Sequence, residues 1–222
     1  MLISKVKLYS NEIEKLKEFY VTLLGFNLID ESQSSFTIQI GESEMEFCDN
    51  PLDSKPFYHF AFNIPSNQFK EAKNWIKSKV TLNIDEGNDE VYFEFINAYS
   101  LYFLDPSGNI VEFISRTSSP IAKAVFLASS IINISEINIT TNHVLSVGNQ
   151  INEFGIPVRD TGTLNDQFNF LGSDGSFLLL GAEKRTWYFS DKGAEIHPNT
   201  IEIDKNKVIE LHKDGNISLN TY

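Results

Sequence analysis

The chain has 222 residues, 41% of them hydrophobic and 22% charged, which excludes a disordered chain and suffices to bury a core in one large or two small domains. Thirty acidic residues against 18 basic ones give a net charge of −12, a poor match to nucleic acid or to an anionic membrane surface. A single cysteine, Cys48, excludes an intrachain disulfide and a Cys-cluster metal site. The start MLISKVKLYS has no basic-then-apolar leader, and no apolar run is long enough to span a bilayer, so a cytoplasmic protein is expected.

Three short segments repeat one pattern: Ile3–Leu8, Tyr58–Asn63 and Ile134–Ile139 each alternate apolar with polar or small residues, the mark of a half-buried strand. A helical stretch follows each. Ile13, Leu16, Phe19, Tyr20 and Leu23 predict a helix over 12–24, with Asn11 as N-cap and Gly25 as stop. Phe69, Ala72, Trp75 and Ile76 predict a second over 66–79, and a third spans 142–153 before Gly155 and Pro157. Strand-like runs come next in every case, so the unit reads β-α-β-β-β, written three times.

Residues 117–133 interrupt the repeat and predict a helical connector centred on 121–130. The division expected is therefore a paired-unit domain over 1–116, the connector over 117–133, and a third unit with a C-terminal tail over 134–222. The tail turns at Lys213–Asn216, between the strand-like runs 208–212 and 217–219.

The segments Phe19–Phe26, Tyr58–Phe62 and above all Leu101–Phe113 carry a family likeness. A strand, an Asp105-Pro106-Ser107-Gly108-Asn109 turn and a strand ending in Glu112-Phe113 resemble the closing hairpin of the vicinal oxygen chelate superfamily. That superfamily includes glyoxalase I, extradiol dioxygenases, fosfomycin resistance proteins and bleomycin-binding proteins. The turn also makes sense by itself: Asp105 can accept from amides ahead of it, Pro106 fixes φ, and Gly108 or Asn109 can take a positive φ. The resemblance implies an α+β fold in which two units pair into a curved-sheet cup, with a third, partial unit beside them.

It also implies metal ligands on the first and last strands of each unit, which are Lys5, Glu46, His59 and Glu112 here. Strand alternation independently puts His59 on a face with Ala61 and Asn63, and Glu46, Lys5 and Glu112 opposite apolar neighbours. One imidazole and two carboxylates suit Fe, Mn, Ni or Zn as a divalent metal held by His59, Glu112 and Glu46. Glu46 and Glu112 are also the acid–base candidates. Lys5 departs from the pattern, since an ammonium has no lone pair, and is expected to pair with Glu46 or Glu112 and to face the substrate. Tyr92, Phe95, Asn97, Tyr99 and Tyr102 supply aromatic walls and a polar anchor for a flat small molecule. The run 85–90 predicts a loop over the rim, and Lys184–Tyr188 a cluster that covers a pocket or forms an interface. The third unit carries Glu136 and Leu179 where the second has His59 and Glu112, so no metal is expected there.

Two functions fit these residues. One is a divalent-metal-dependent enzyme, a lyase, isomerase or ring-cleaving dioxygenase acting on a small oxygenated or aromatic compound. The other is a metal-free protein that sequesters an aromatic compound, as in bleomycin resistance. Phe170, Phe177, Leu179, Trp187 and Tyr188 of the third unit need cover, which predicts a homodimer.

Overall fold

A computed structural model describes residues 1–222. The first unit comprises β1 (Ile3–Ser10), α1 (Ile13–Lys17), which runs on as a π-helix over Glu18–Leu23, then β2 (Leu28–Glu31), β3 (Ser35–Ile40) and β4 (Ser43–Asp49). The second comprises β5 (His59–Asn63), α2 (Phe69–Lys77), β6 (Val91–Phe93), β7 (Ala98–Leu104) and β8 (Ile110–Arg116). The third comprises β9 (Asn133–Thr140), α3 (Val144–Glu153), β10 (Phe168–Ser173) and β11 (Ser176–Gly181). The chain ends in a meander of β12 (Asn199–Ile203), β13 (Lys207–Leu211) and β14 (Ile217–Thr221). No helix is long and apolar enough to cross a membrane.

Each unit closes by laying its last strand parallel to its first: β4 on β1, β8 on β5 and β11 on β9. The repeated unit and the curved-sheet cup of the expected α+β fold are both present. The pairing of units differs from expectation. The first strand of unit two, β5, runs antiparallel to β9 of unit three, with Phe60 opposite Ile137 and Phe62 opposite Ile134. Unit one faces the C-terminal meander instead, through β1 and β12, with Val6 opposite Ile201. The two pairs touch edge to edge at Ile3 and Ile134. The 1–116 pairing is thus corrected: all three first strands have the same alternation, and apolar side chains meet apolar ones in the pairings that form.

The connector is also corrected. Residues 117–132 are irregular, with a turn at 116–119 and one 3-10 turn at Ala128–Ser130, and hold no α-helix. Asn67 exchanges two hydrogen bonds with the Ala122 backbone, and Gln68 Nε2 donates to Ala124 O at 2.6 Å. These bonds hold the backbone open, and Phe126 is buried on the Trp75 ring at 5.5 Å. Side-chain docking therefore outweighs the helical propensity of the stretch. The helices cover one face of the sheets, over a cluster of 43 buried apolar side chains drawn from all three units and the meander. The other face carries His59, Glu112 and Glu136 together with a second, smaller apolar cluster that includes Tyr102, Leu179 and Trp187.

Candidate metal centre and aromatic cavity

The Asp105–Asn109 turn sets the site. Asp105 Oδ1 accepts from the Ser107 and Asn109 amides at 3.0 Å each, and its Oδ2 accepts from Asn109 Nδ2 and the Tyr20 hydroxyl. Gly108 takes a φ of 77°. Asn109 Oδ1 then accepts the Tyr58 amide at 2.8 Å, which clamps the start of β5 onto β8. His59 therefore lies opposite Ile110, and Ala61 opposite Glu112.

The antiparallel partner adds the third group. Ala61 also stands opposite Glu136 of β9. Across the concave face one row runs Tyr102, Glu112, Ala61, Glu136, Phe177. Ala61 is small and fully buried, so the flanking carboxylates can lean over it toward His59 two residues back. The donor atoms of His59, Glu112 and Glu136 lie within 4.8 Å of one another. All three residues are at most 5% exposed. His59 Nε2 is 3.4 Å from Glu112 Oε2.

His59 Nδ1 lies 3.1 Å from Ile110 O, an acceptor only, so Nδ1 donates there and Nε2 is the nitrogen turned toward the carboxylates. Arg116 donates to Glu136 Oε1 at 2.6 Å, and its Nη1 to Asn63 Oδ1 and Ser135 Oγ at 2.7 Å each. Glu136 Oε2 remains without a protein donor. Burial, then the charge of Glu112, pushes the Glu136 pKa up, against the pull of Arg116 and His59. The Tyr102 phenol is held well above its ordinary range by burial and by the two carboxylates, so it stays protonated. Two buried carboxylates therefore share one permanent cation, which is itself tied to Glu136. An imidazole nitrogen and carboxylate oxygens around such a charge deficit fit a divalent ion.

The triad forms the floor of a cavity of about 310 Å³ with mostly apolar walls. Phe93, Phe95, Phe168 and Phe170 line it, and the segment after β11 covers it. Trp187 of that segment packs on the His59 ring at 4.8 Å, and Phe189 stacks on Tyr102 at 4.9 Å. Lys192 Nζ donates to Gly108 O and Asn83 Nδ2 to Phe189 O, fastening the cover to unit two.

Of the residues expected from sequence, His59, Glu112, Phe95 and Tyr102 line this cavity. Glu46 is not among its lining residues: Lys5 Nζ is 2.8 Å from Glu46 Oε2 in the separate face of β1 and β4. There, Lys5 has its pKa raised: burial lowers it, but the hydrogen bond and charge of Glu46 prevail. The choice of Glu46 followed from facing unit one against unit two; the observed pairing instead brings Glu136, from the first strand of unit three, beside His59 and Glu112. Tyr92 and Tyr99 pack against each other at a tilt, 4.6 Å between centroids, outside the cavity, with the Tyr92 hydroxyl donating to Asn97 Oδ1. The run 85–90 is a turn held to α2 by Lys73, through Asp89 and Glu90, and does not line the cavity. The repeat aligns Glu136 with His59 and Lys5, but no metal is expected there from sequence; its clustering with His59 and Glu112 corrects that expectation, and nothing in the sequence pattern singles out Arg116.

The glyoxalase/bleomycin resistance protein/dioxygenase superfamily model matches residues 2–113, and a toxoflavin-degrading enzyme model matches residues 134–185. The metallothiol transferase FosB of Staphylococcus haemolyticus is 30% identical over 107 residues, covering 46% of this chain and 74% of that protein. A solved dioxygenase-type protein from Bacillus subtilis subsp. subtilis strain 168 superposes with a TM-score of 0.56. It is 12% identical, and the match covers 82% of this chain and 63% of that one, a likeness of fold. A match over half the chain, on units that each close their first strand with their last, gives the family: the chain belongs to the glyoxalase/bleomycin resistance protein/dioxygenase superfamily.

Proposed function

We propose that this chain is a divalent-metal-dependent enzyme that degrades a small, flat, oxygenated aromatic compound, with toxoflavin, a planar bicyclic nitrogen heterocycle, as the first substrate to try. The observation that carries the reading is the buried His59, Glu112 and Glu136 cluster at the floor of an aromatic cavity. Two names support it: the model over the third unit is of toxoflavin-degrading enzymes, and FosB is a metallothiol transferase.

His59 Nε2, Glu112 and Glu136 would hold the ion, which supplies a Lewis acid toward two neighbouring oxygens of a substrate. Arg116 holds Glu136 in position, and Ile110 O holds the His59 ring in the ligating tautomer. The protonated Tyr102 hydroxyl is a hydrogen-bond donor at the cavity wall. The cover carrying Trp187 and Phe189 keeps bulk water from the floor.

Calorimetric titration of chelator-stripped protein with Mn(II) tests the reading. One ion per chain is expected, with affinity reduced by about tenfold or more in His59→Ala and Glu136→Gln. Toxoflavin consumption, followed chromatographically, is expected with Mn(II) and lost with EDTA.

The second reading is a metal-free binder of aromatic compounds. It is favoured by the Arg116–Glu136 ion pair, which already neutralises one carboxylate. Failure of the wild type to take up Mn(II), with toxoflavin bound but unaltered, selects it.

A further inference from the structure

The chain has three arginines, Arg116, Arg159 and Arg185. Arg116 is neutralised by Glu136, and Arg159 Nε lies 3.2 Å from Asp160 Oδ2. Arg185, on the covering segment, has no carboxylate within ion-pair distance and lines the cavity. Its guanidinium carbon is 3.9 Å from the Phe168 ring centroid and 4.2 Å from that of Trp187, so it is held against two aromatic faces. Its Nε is buried with no acceptor, and Nη1 makes one long bond, 3.4 Å to Thr186 O. A buried donor left unpaired costs free energy that a bound acceptor would recover. Burial lowers its pKa against the pull of Tyr188 and Tyr102, as expected of a cation kept without a counter-charge.

The backbone makes room for this placement. A Cβ on Gly181 would lie 3.0 Å from Phe168 Cδ2 and 3.7 Å from Arg185 Nε. The bare glycine lets the Phe168 ring settle over the end of β11, and Arg185 packs on that ring. The floor of the cavity is acidic, so an electron-rich oxygen on a ligand is repelled there unless a cation meets it. Arg185 puts a fixed cation in the cover, away from the triad on the sheet.

We infer that Arg185 is the substrate-recognition residue of this cavity: it receives a carbonyl or anionic oxygen on the edge of a flat ring lying against Trp187. The inference rests on the proposal that the cavity binds a flat substrate, and it narrows the substrate class to ring systems with such an oxygen. A guanidinium already stacked on two rings loses little freedom when it takes up that acceptor. Carbonyl-free rings of the same shape fill the aromatic walls but leave the donor unpaired, which is the source of discrimination.

Two probes of the same bicyclic shape test it, quinazoline-2,4-dione and quinazoline, titrated calorimetrically into the full chain with and without Mn(II); the dione adds two ring N–H groups as well as two carbonyl oxygens, and the Arg185 variants isolate the share that belongs to the oxygens. The wild type is expected to prefer the dione by about tenfold or more. Arg185→Met is expected to lose that preference while binding quinazoline as the wild type does, and Arg185→Lys to keep part of it. Urea unfolding at the wild-type midpoint checks that Arg185→Met is folded, and Arg185→Gln replaces it otherwise. A preference that survives in these variants overturns the inference. So does an equal loss for both probes, or no dione binding by the wild type. Absence of Mn(II) uptake by the wild type overturns the metal-dependent reading alone and leaves the Arg185 comparison valid.

Discussion

Ala61 is the residue on which the proposed metal centre depends without contributing a ligand. It stands opposite Glu112 on one side and Glu136 on the other, fully buried. A larger side chain would occupy the space the carboxylates lean into, so Ala61→Leu is expected to abolish Mn(II) uptake, measured by calorimetry. Arg116 is the complementary case. Arg116→Gln leaves Glu136 buried without a partner, which is expected to destabilise chelator-treated protein by about 3–5 kcal/mol in urea unfolding. Cys48, by contrast, is inert. Burial, then the Glu46 carboxylate that accepts its thiol hydrogen bond, pushes its pKa up to about 12. Alkylation by iodoacetamide at pH 8 is expected to be slow, and faster in Glu46→Gln, where one of the causes that raise the pKa is gone. The family resemblance carried by the Asp105–Asn109 turn, with strand alternation in support, made His59 and Glu112 legible in the sequence, because both features are local. Glu136 was not assigned, because its membership depends on which unit faces which.

Among the elements, those with strong local pattern were readable and those set by docking were not. The helix near 66–79 follows from Phe69, Ala72 and Ile76, all buried, and forms over Phe69–Lys77. The connector looked helical, yet Asn67 and Gln68 reach its backbone from the start of α2 and keep it from coiling into a helix. Its end is also a docking surface. The turn between β3 and β4 lies against it: Glu42 N donates to Ile132 O at 2.8 Å, and Gly41 has a φ of 57°. A Cβ on Gly41 would lie 2.0 Å from Ile132 O, so backbone would have to move. Gly41→Ala is therefore expected to lose on the order of 3 kcal/mol, from positive-φ strain and displaced packing together. Urea midpoints of the two proteins check this. A loss under about 1 kcal/mol would mean that the connector gives way freely.

At the scale of the molecule, three first strands with one pattern admit several pairings, and no local signal ranks them. The C-terminal meander decides the outcome by taking β1, which leaves β5 and β9 to each other. That arrangement also removes the ground for expecting a second chain: unit two supplies the partner unit three was thought to lack. The two cups could then behave as independent domains, since strand pairing joins their sheets at Ile3 and Ile134 alone. The core argues against independence. One apolar cluster includes Ile201, Ile203 and Ile209 of the meander together with Phe60, Ile137 and Leu178 of the other cup. Both tryptophans report on the second cup, Trp75 from α2 and Trp187 from its cover. Ile201 lies in β12, on the far pair, and is fully buried. Ile201→Ala is expected to destabilise by about 2–5 kcal/mol, the usual range for deleting such a side chain. Because the core is shared, the tryptophan fluorescence transition in urea should shift by the same amount as the far-ultraviolet circular dichroism transition, and the two should coincide. A fluorescence transition left at the wild-type midpoint, while circular dichroism splits into two phases, would make the cups separate folding units.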